Sequence, residues 1–119
     1  MLYDKIDQKT KQNTMDARED RRKILRVRAT VQIGDVVEEV HTHDISESGL
    51  SLLLPFPSKV GTQAQIGFSL FQEGRLKTIT LTAKAIHCTL SSDLFRTGYT
   101  YTGISPDHRK IVATYCNER

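Results

Sequence analysis

Two short stretches carry the residues best suited to recognition chemistry: RRKILR at residues 21–26 and DISESG at residues 44–49. Arg22 and Arg26 stand four residues apart. A guanidinium presents planar, paired donors that suit a phosphate or the O6 and N7 of guanine, and its plane can stack on a purine. Asp44 can accept from the N1–H and exocyclic amine of guanine, a pattern that adenine does not offer. Ser46 can bond a phosphate or ribose oxygen, and Gly49 allows a backbone conformation and a close approach that a side chain would forbid. Such a set fits a ligand that is both anionic and rich in hydrogen-bonding groups.

These stretches need a scaffold that brings them together. Strand-like runs at residues 26–33 and 36–45 are separated only by Gly34-Asp35, a Gly-X linker that favours a type II′ hairpin. Opposed residues in that hairpin have numbers summing to 69, so Arg26 faces His43 and Leu25 faces Asp44. The arginine segment therefore ends beside the start of DISESG, and a slip of one or two places would not part them.

The remaining elements follow from periodicity and turn chemistry. Val27, Ala29, Val31 and Ile33 alternate with polar residues, as in a half-buried strand. Residues 50–54 form a short buried strand closed by Pro55 and Pro57, and Ala64, Ile66, Phe68 and Leu70 alternate along the next. Residues 72–75 make a hairpin turn. A long strand spans about residues 76–89, with Ile86 breaking its parity as a bulge would, and the last covers residues 95–103 with Tyr99 and Tyr101 on one side. Ser105-Pro106-Asp107 supplies a hydroxyl N-cap, a proline at the first helical position and an acid in the first turn. Ile111, Val112, Tyr115 and Cys116 then share one stripe of a short helix. Six strands in hairpin order and a final helix predict an all-β barrel or closed sandwich with a helical cap.

At 119 residues the chain fits one domain. Residues 1–20 are polar with scattered apolar positions and are expected to form a mobile arm before a domain at residues 21–119. No apolar run approaches the ~20 residues that span a bilayer, and the polar N-terminus is unlike a signal peptide, so a soluble, cytoplasmic protein is expected. Cys88 and Cys116 lack metal-type spacing and are expected to be reduced thiols. The net charge is only +3, yet residues 18–28 hold six basic residues against two acidic ones, a local anion-attracting field. His41 and His43 share a strand face without a third ligand at supporting spacing, no triad or Walker loop is visible, and neither an enzyme nor a cofactor is expected.

RRKILR followed by DISESG, with FRTGYTYTGI downstream and a terminal helix, resembles the PilZ domain, the bacterial receptor for cyclic di-GMP. The family pattern, RxxxR and then D/NxSxxG, falls on Arg22 and Arg26 and on Asp44, Ser46 and Gly49. The resemblance covers about residues 21–115. It implies a six-stranded antiparallel β-barrel with a C-terminal α-helix and a flexible N-terminal arm, whose arginine loop closes over the ligand. It adds Arg21 as a ligand-binding residue, since an arginine there accompanies binding of a mutually intercalated cyclic di-GMP dimer. The implied partners are cyclic di-GMP and a downstream bacterial protein of the motility, secretion, polysaccharide or chemotaxis machinery, with no nucleic acid polymer and no membrane insertion. Two other readings stand beside this one: a PilZ adaptor that binds no ligand, and a small barrel that binds single-stranded nucleic acid with Tyr99 or Tyr101 as stacking platforms.

Overall fold

A computed structural model describes residues 21–118; the arm expected at residues 1–20 lies outside the described residues. The elements are β1 (Lys23–Ile24), β2 (Arg28–Ile33), β3 (Val36–Ile45), β4 (Gly49–Leu54), β5 (Gln63–Gln72), β6 (Arg75–Ser91), β7 (Leu94–Ile104) and α1 (Pro106–Asn117). Pairing runs β3–β2–β5–β6–β7–β4 and returns from β4 to β3, every pair antiparallel. Six strands thus close a barrel, and closure removes the exposed edges that invite aggregation. The two-residue β1 pairs with β3 beyond the end of β2.

Alternation decides which side chains fill the barrel. Ala29 and Val31 of β2 point inward while Arg28, Thr30 and Gln32 face solvent. Ala64, Ile66, Phe68 and Leu70 of β5 do the same against Ile79, Leu81, Ala83 and Ala85 of β6. The leucines Leu50, Leu52 and Leu54 are fully buried. Helix α1 starts as its sequence dictates: the Ser105 hydroxyl accepts the His108 N–H at 3.2 Å, Pro106 opens the first turn, and Val112 and Cys116 are buried against the core. Among the described residues, no helix is long and apolar enough to cross a membrane.

The β2–β3 hairpin keeps the expected sum of 69 from Ile33↔Val36 to Arg28↔His41, with Gly34 at φ 60 supplying the left-handed first position of the turn. Beyond Arg28 the register moves by one. Ile24, rather than Leu25, faces Asp44, because residues 25–27 bulge opposite residues 42–43. A bulge takes backbone groups out of the ladder, and they need other partners. Thr42, fully buried, supplies them: its hydroxyl accepts the Val27 N–H at 3.0 Å and donates to the Leu25 carbonyl. Backbone bonds from Leu25 N–H to the His43 carbonyl and from Thr42 N–H to the Val27 carbonyl complete the junction.

Replacing Thr42 by Val keeps its shape and removes the hydroxyl, leaving two buried backbone groups without that partner. Thr42→Val is expected to cost about 1–3 kcal/mol of unfolding free energy. Urea unfolding of the two proteins checks it, and a loss below about 0.5 kcal/mol would refute the role given to the hydroxyl.

Candidate functional site

The site forms where β1 delivers Arg22 to the far end of β3. Strict alternation from the buried Val40 and Thr42 would turn Asp44 into the core, where an unpaired carboxylate is costly. A register shift between Thr42 and Asp44 in the β3–β4 pairing breaks the parity, so Ile45 is buried and Asp44 remains partly exposed. Arg22 Nη2 lies 3.0 Å from Asp44 Oδ1, and Arg22 Nη1 donates to Ser46 Oγ at 3.3 Å. The first residue of one motif and the first two polar residues of the other therefore share one guanidinium.

Burial pushes the Asp44 carboxyl upward, but the Arg22 hydrogen bond and charge, with hydrogen bonds from Ser51 and His43, outweigh it and hold its pKa below the usual 3.8. Asp44 is therefore an ionised acceptor at neutral pH. Arg22 is 46% exposed. An ion pair that open to water is worth only about 0.2–1 kcal/mol, so it can be exchanged for a better anion at little cost.

Ser46 and Gly49 shape the turn between β3 and β4. Ser46 is fully buried, and its hydroxyl accepts the Gly49 and Ser48 N–H groups at 3.2 and 3.4 Å. Strand β7 caps the carbonyls: the Tyr101 hydroxyl lies 2.9 Å from the Ser46 carbonyl and 3.0 Å from that of Gly49, and the Tyr101 N–H donates to the Ser48 carbonyl. Gly49 is required here by proximity and not by a left-handed backbone. A Cβ on it would lie 2.2 Å from the Tyr99 carbonyl oxygen, while positive φ among the glycines is confined to Gly34, Gly61 and Gly74.

Next to this turn opens a cavity of about 340 Å³, lined among others by Arg22, Asp44, Ser48, Ser51, His87 and Arg96. Arg21 and Arg26 are exposed and do not line it. Of the residues singled out by the sequence, the structure brings Arg22, Asp44, Ser46 and Gly49 together, and it adds Ser51, His87 and Arg96 to the cavity lining. The one local signal for the missed residues is the parity break at Ile86, where the β6–β7 register shifts between Ala85 and His87. Tyr99 is 1% exposed and offers no stacking platform, while Tyr101 is partly exposed with its hydroxyl held by the turn. Among the described residues, no group of three or more His, Cys, Asp or Glu side chains could hold a metal ion.

The motif segments also hold the end of α1, which has no basic residue in its last turn. Lys23, beside Arg22, donates to the Tyr115 carbonyl at 2.9 Å and sits 4.2 Å from the Tyr115 ring centroid. Asn117 donates to Glu47 of the β3–β4 turn.

Comparison with known proteins matches residues 16–118 to the family model described as PilZ domain. A search of curated proteins finds no match. Several solved structures share the fold at low identity. The PilZ domain of Escherichia coli YcgR with c-di-GMP superposes with a TM-score of 0.63 at 17% identity, over 84% of this chain and 88% of that one. The Bacillus subtilis inhibitor of motility (MotI/DgrA) gives 0.75 at 16%, over 82% of this chain and 48% of its own. Borreliella burgdorferi PlzA in complex with c-di-GMP gives 0.57 at 13%, over 76% and 32%. The chain thus spans less than half of the Bacillus and Borreliella proteins.

Two measurements follow from the site geometry. Because the folded Asp44 pKa lies below 3.8, its contribution to stability is complete above that pH and is lost as pH falls through the folded value. Unfolding free energies between pH 5 and pH 3 are expected to fall more steeply for wild type than for Asp44→Asn, about these values of the carboxylate range; parallel profiles would refute the pairing. Gly49→Ala forces β4 away from β7 and is expected to destabilise by about 1–3 kcal/mol in urea titrations, where an unchanged midpoint would show that the strands part freely.

Proposed function

The chain belongs to the PilZ family, and we propose that it is a non-enzymatic receptor for cyclic di-GMP. The observation that carries this reading is the meeting of Arg22 with Asp44 and Ser46 at the edge of an open cavity. That arrangement holds a guanidinium in place while leaving it exchangeable. In the proposed complex Arg22 leaves the carboxylate and grips phosphate, since a charge-assisted bond of about 1.5–3 kcal/mol exceeds the ~0.2–1 kcal/mol of the exposed pair. The freed Asp44 accepts from N1–H and the exocyclic amine of guanine. Arg26 and Arg21, exposed on the flanking segment, close over the ligand, phosphate or base on one side and barrel on the other. Ser46 and Gly49 keep the β3–β4 turn in the shape that exposes Asp44.

The relay follows from the same exchange. Fixing the arginine segment and the residues before it presents a new surface to a partner, an equilibrium biased by the ligand's preference for the closed form. The expected partners are components of bacterial motility, secretion, polysaccharide or chemotaxis machinery. A motility component is the first to test, because a protein named for inhibiting motility shares this fold.

Isothermal titration of cyclic di-GMP into wild type and Arg22→Ala, with GTP and a short single-stranded oligonucleotide as controls, tests the proposal. Saturable binding weakened at least about tenfold in the variant is expected, the equivalent of one lost charge-assisted contact. A stoichiometry near two would add binding of a ligand dimer. Absence of binding to wild type, confirmed by a second method, would overturn the receptor reading and leave the adaptor.

A further inference from the structure

Strand β6 runs on past the end of the barrel. Its pairing with β5 stops at Gln63↔Lys84, yet it continues to Ser91 and stays paired with β7 as far as Ser91↔Leu94. The loop after β4 reaches only Ala85, whose carbonyl accepts the Gly61 N–H at 2.8 Å and whose N–H donates to the Thr62 carbonyl at 2.9 Å. Beyond Ala85, no strand among the described residues lies on the outer side of β6. Barrel closure abolishes edges, and this extension restores one.

Ala85 also shows which backbone groups the edge leaves open. Its side chain is buried in the barrel and its N–H and C=O point away from β7, and along one strand those two directions go together. The register shift at Ile86 moves the parity by one, so Cys88 and Leu90 take the inward direction next. Cys88 opposes the buried Thr97, whose hydroxyl donates to its Sγ at 3.5 Å, and Leu90 opposes Phe95, itself paired with the buried Leu54. The N–H and C=O of Cys88 and Leu90 therefore face the open side, and the Leu90 side chain is 63% exposed. Natural edges are blunted by lysine, proline or inward-pointing charge. Residues 85–92, AIHCTLSS, contain no Lys, Arg, Asp, Glu or Pro, and the bulge lies only at their base.

We infer that the open edge of β6 pairs antiparallel with the same edge of a second copy of this chain, joining two barrels through a continuous sheet. With Thr89 opposite Thr89 on the two-fold axis, Cys88 of each copy faces Leu90 of the other. Each of these two pairs exchanges both backbone hydrogen bonds, and the groups that do so are the ones left open. The inward faces of the two copies then lie on one side of the joint sheet, where each exposed Leu90 gains an apolar neighbour, and the opposed threonines form a favourable cross-strand pair on the other. Antiparallel order also brings Asp93, at the hairpin tip of one copy, toward Lys84 and Lys59 at the base of the other, all three exposed, with no charge between them on the edge to repel. A foreign strand could use the same backbone groups, but both matches are supplied by this chain itself.

Sedimentation equilibrium of the full chain, from low to high micromolar concentration, tests the pairing. A short strand pair buries less than a standard interface, so a weak dimer that dissociates on dilution is expected. Leu90→Pro removes an open N–H at an edge position that tolerates proline, and Leu90→Lys adds the charge that blunts natural edges. Each, once shown to keep the wild-type circular dichroism spectrum, should weaken the dimer at least about tenfold. Val37→Lys, at a similarly exposed valine of β3, should leave it unchanged. Thr89→Cys should cross-link two copies under mild oxidation far faster than wild type, whose Cys88 faces Leu90. A wild type that stays monomeric throughout, a dimer that both Leu90 variants leave within about twofold of wild type, or a Thr89→Cys protein that does not cross-link would overturn the inference.

Discussion

The candidate site depends on a buried hydroxyl. Where residues 25–27 bulge against β3, the ladder cannot satisfy its own backbone, and Thr42 takes the Val27 N–H and gives to the Leu25 carbonyl. That exchange lets the chain change register by one residue without leaving orphaned polar groups in the core. The shift pairs Ile24 with Asp44, and Arg22 follows onto the carboxylate. Without it, Leu25 rather than Ile24 would face Asp44, and Arg22 would lie one residue further along β3.

What the barrel adds is rigidity around a deliberately weak contact. The β3–β4 turn is held from inside by Ser46 and from the flank by Tyr101, while Gly49 lets β4 pack directly on the β7 backbone. Asp44 is thereby fixed and ionised. Its partner Arg22 is half-exposed and loosely bound. A rigid acceptor beside an exchangeable donor is the arrangement in which an incoming anion competes with least reorganisation.

Helix α1 is part of the same unit. Its C-terminal carbonyl and ring meet Lys23, adjacent to Arg22, and its last residue meets Glu47, between the polar residues of the second motif. The helix end is stabilised from outside because its own last turn carries no cation. The two motif segments and the helix therefore share contacts.

Local pattern was enough for the strands, the β2–β3 hairpin as far as Arg28, the Ile86 irregularity and the start of α1, because alternation, turn residues and capping act over a few residues. It was also enough to bring Arg22 and Asp44 side by side, since a single short hairpin separates them. The register beyond Arg28, the outward aim of Asp44 and the true constraint on Gly49 were not legible. Each depends on a partner contributed by another strand: the Thr42 hydroxyl against residues 25–27, β4 against β3, and the Tyr99 carbonyl of β7. Arg96 and His87 stood out even less, because an arginine and a histidine on separate strands resemble ordinary solvent-facing residues until barrel closure sets β7 and β6 beside β4. Periodicity is written residue by residue along the chain, whereas a cavity lined by four strands exists only once long-range pairing has fixed which residues are opposed.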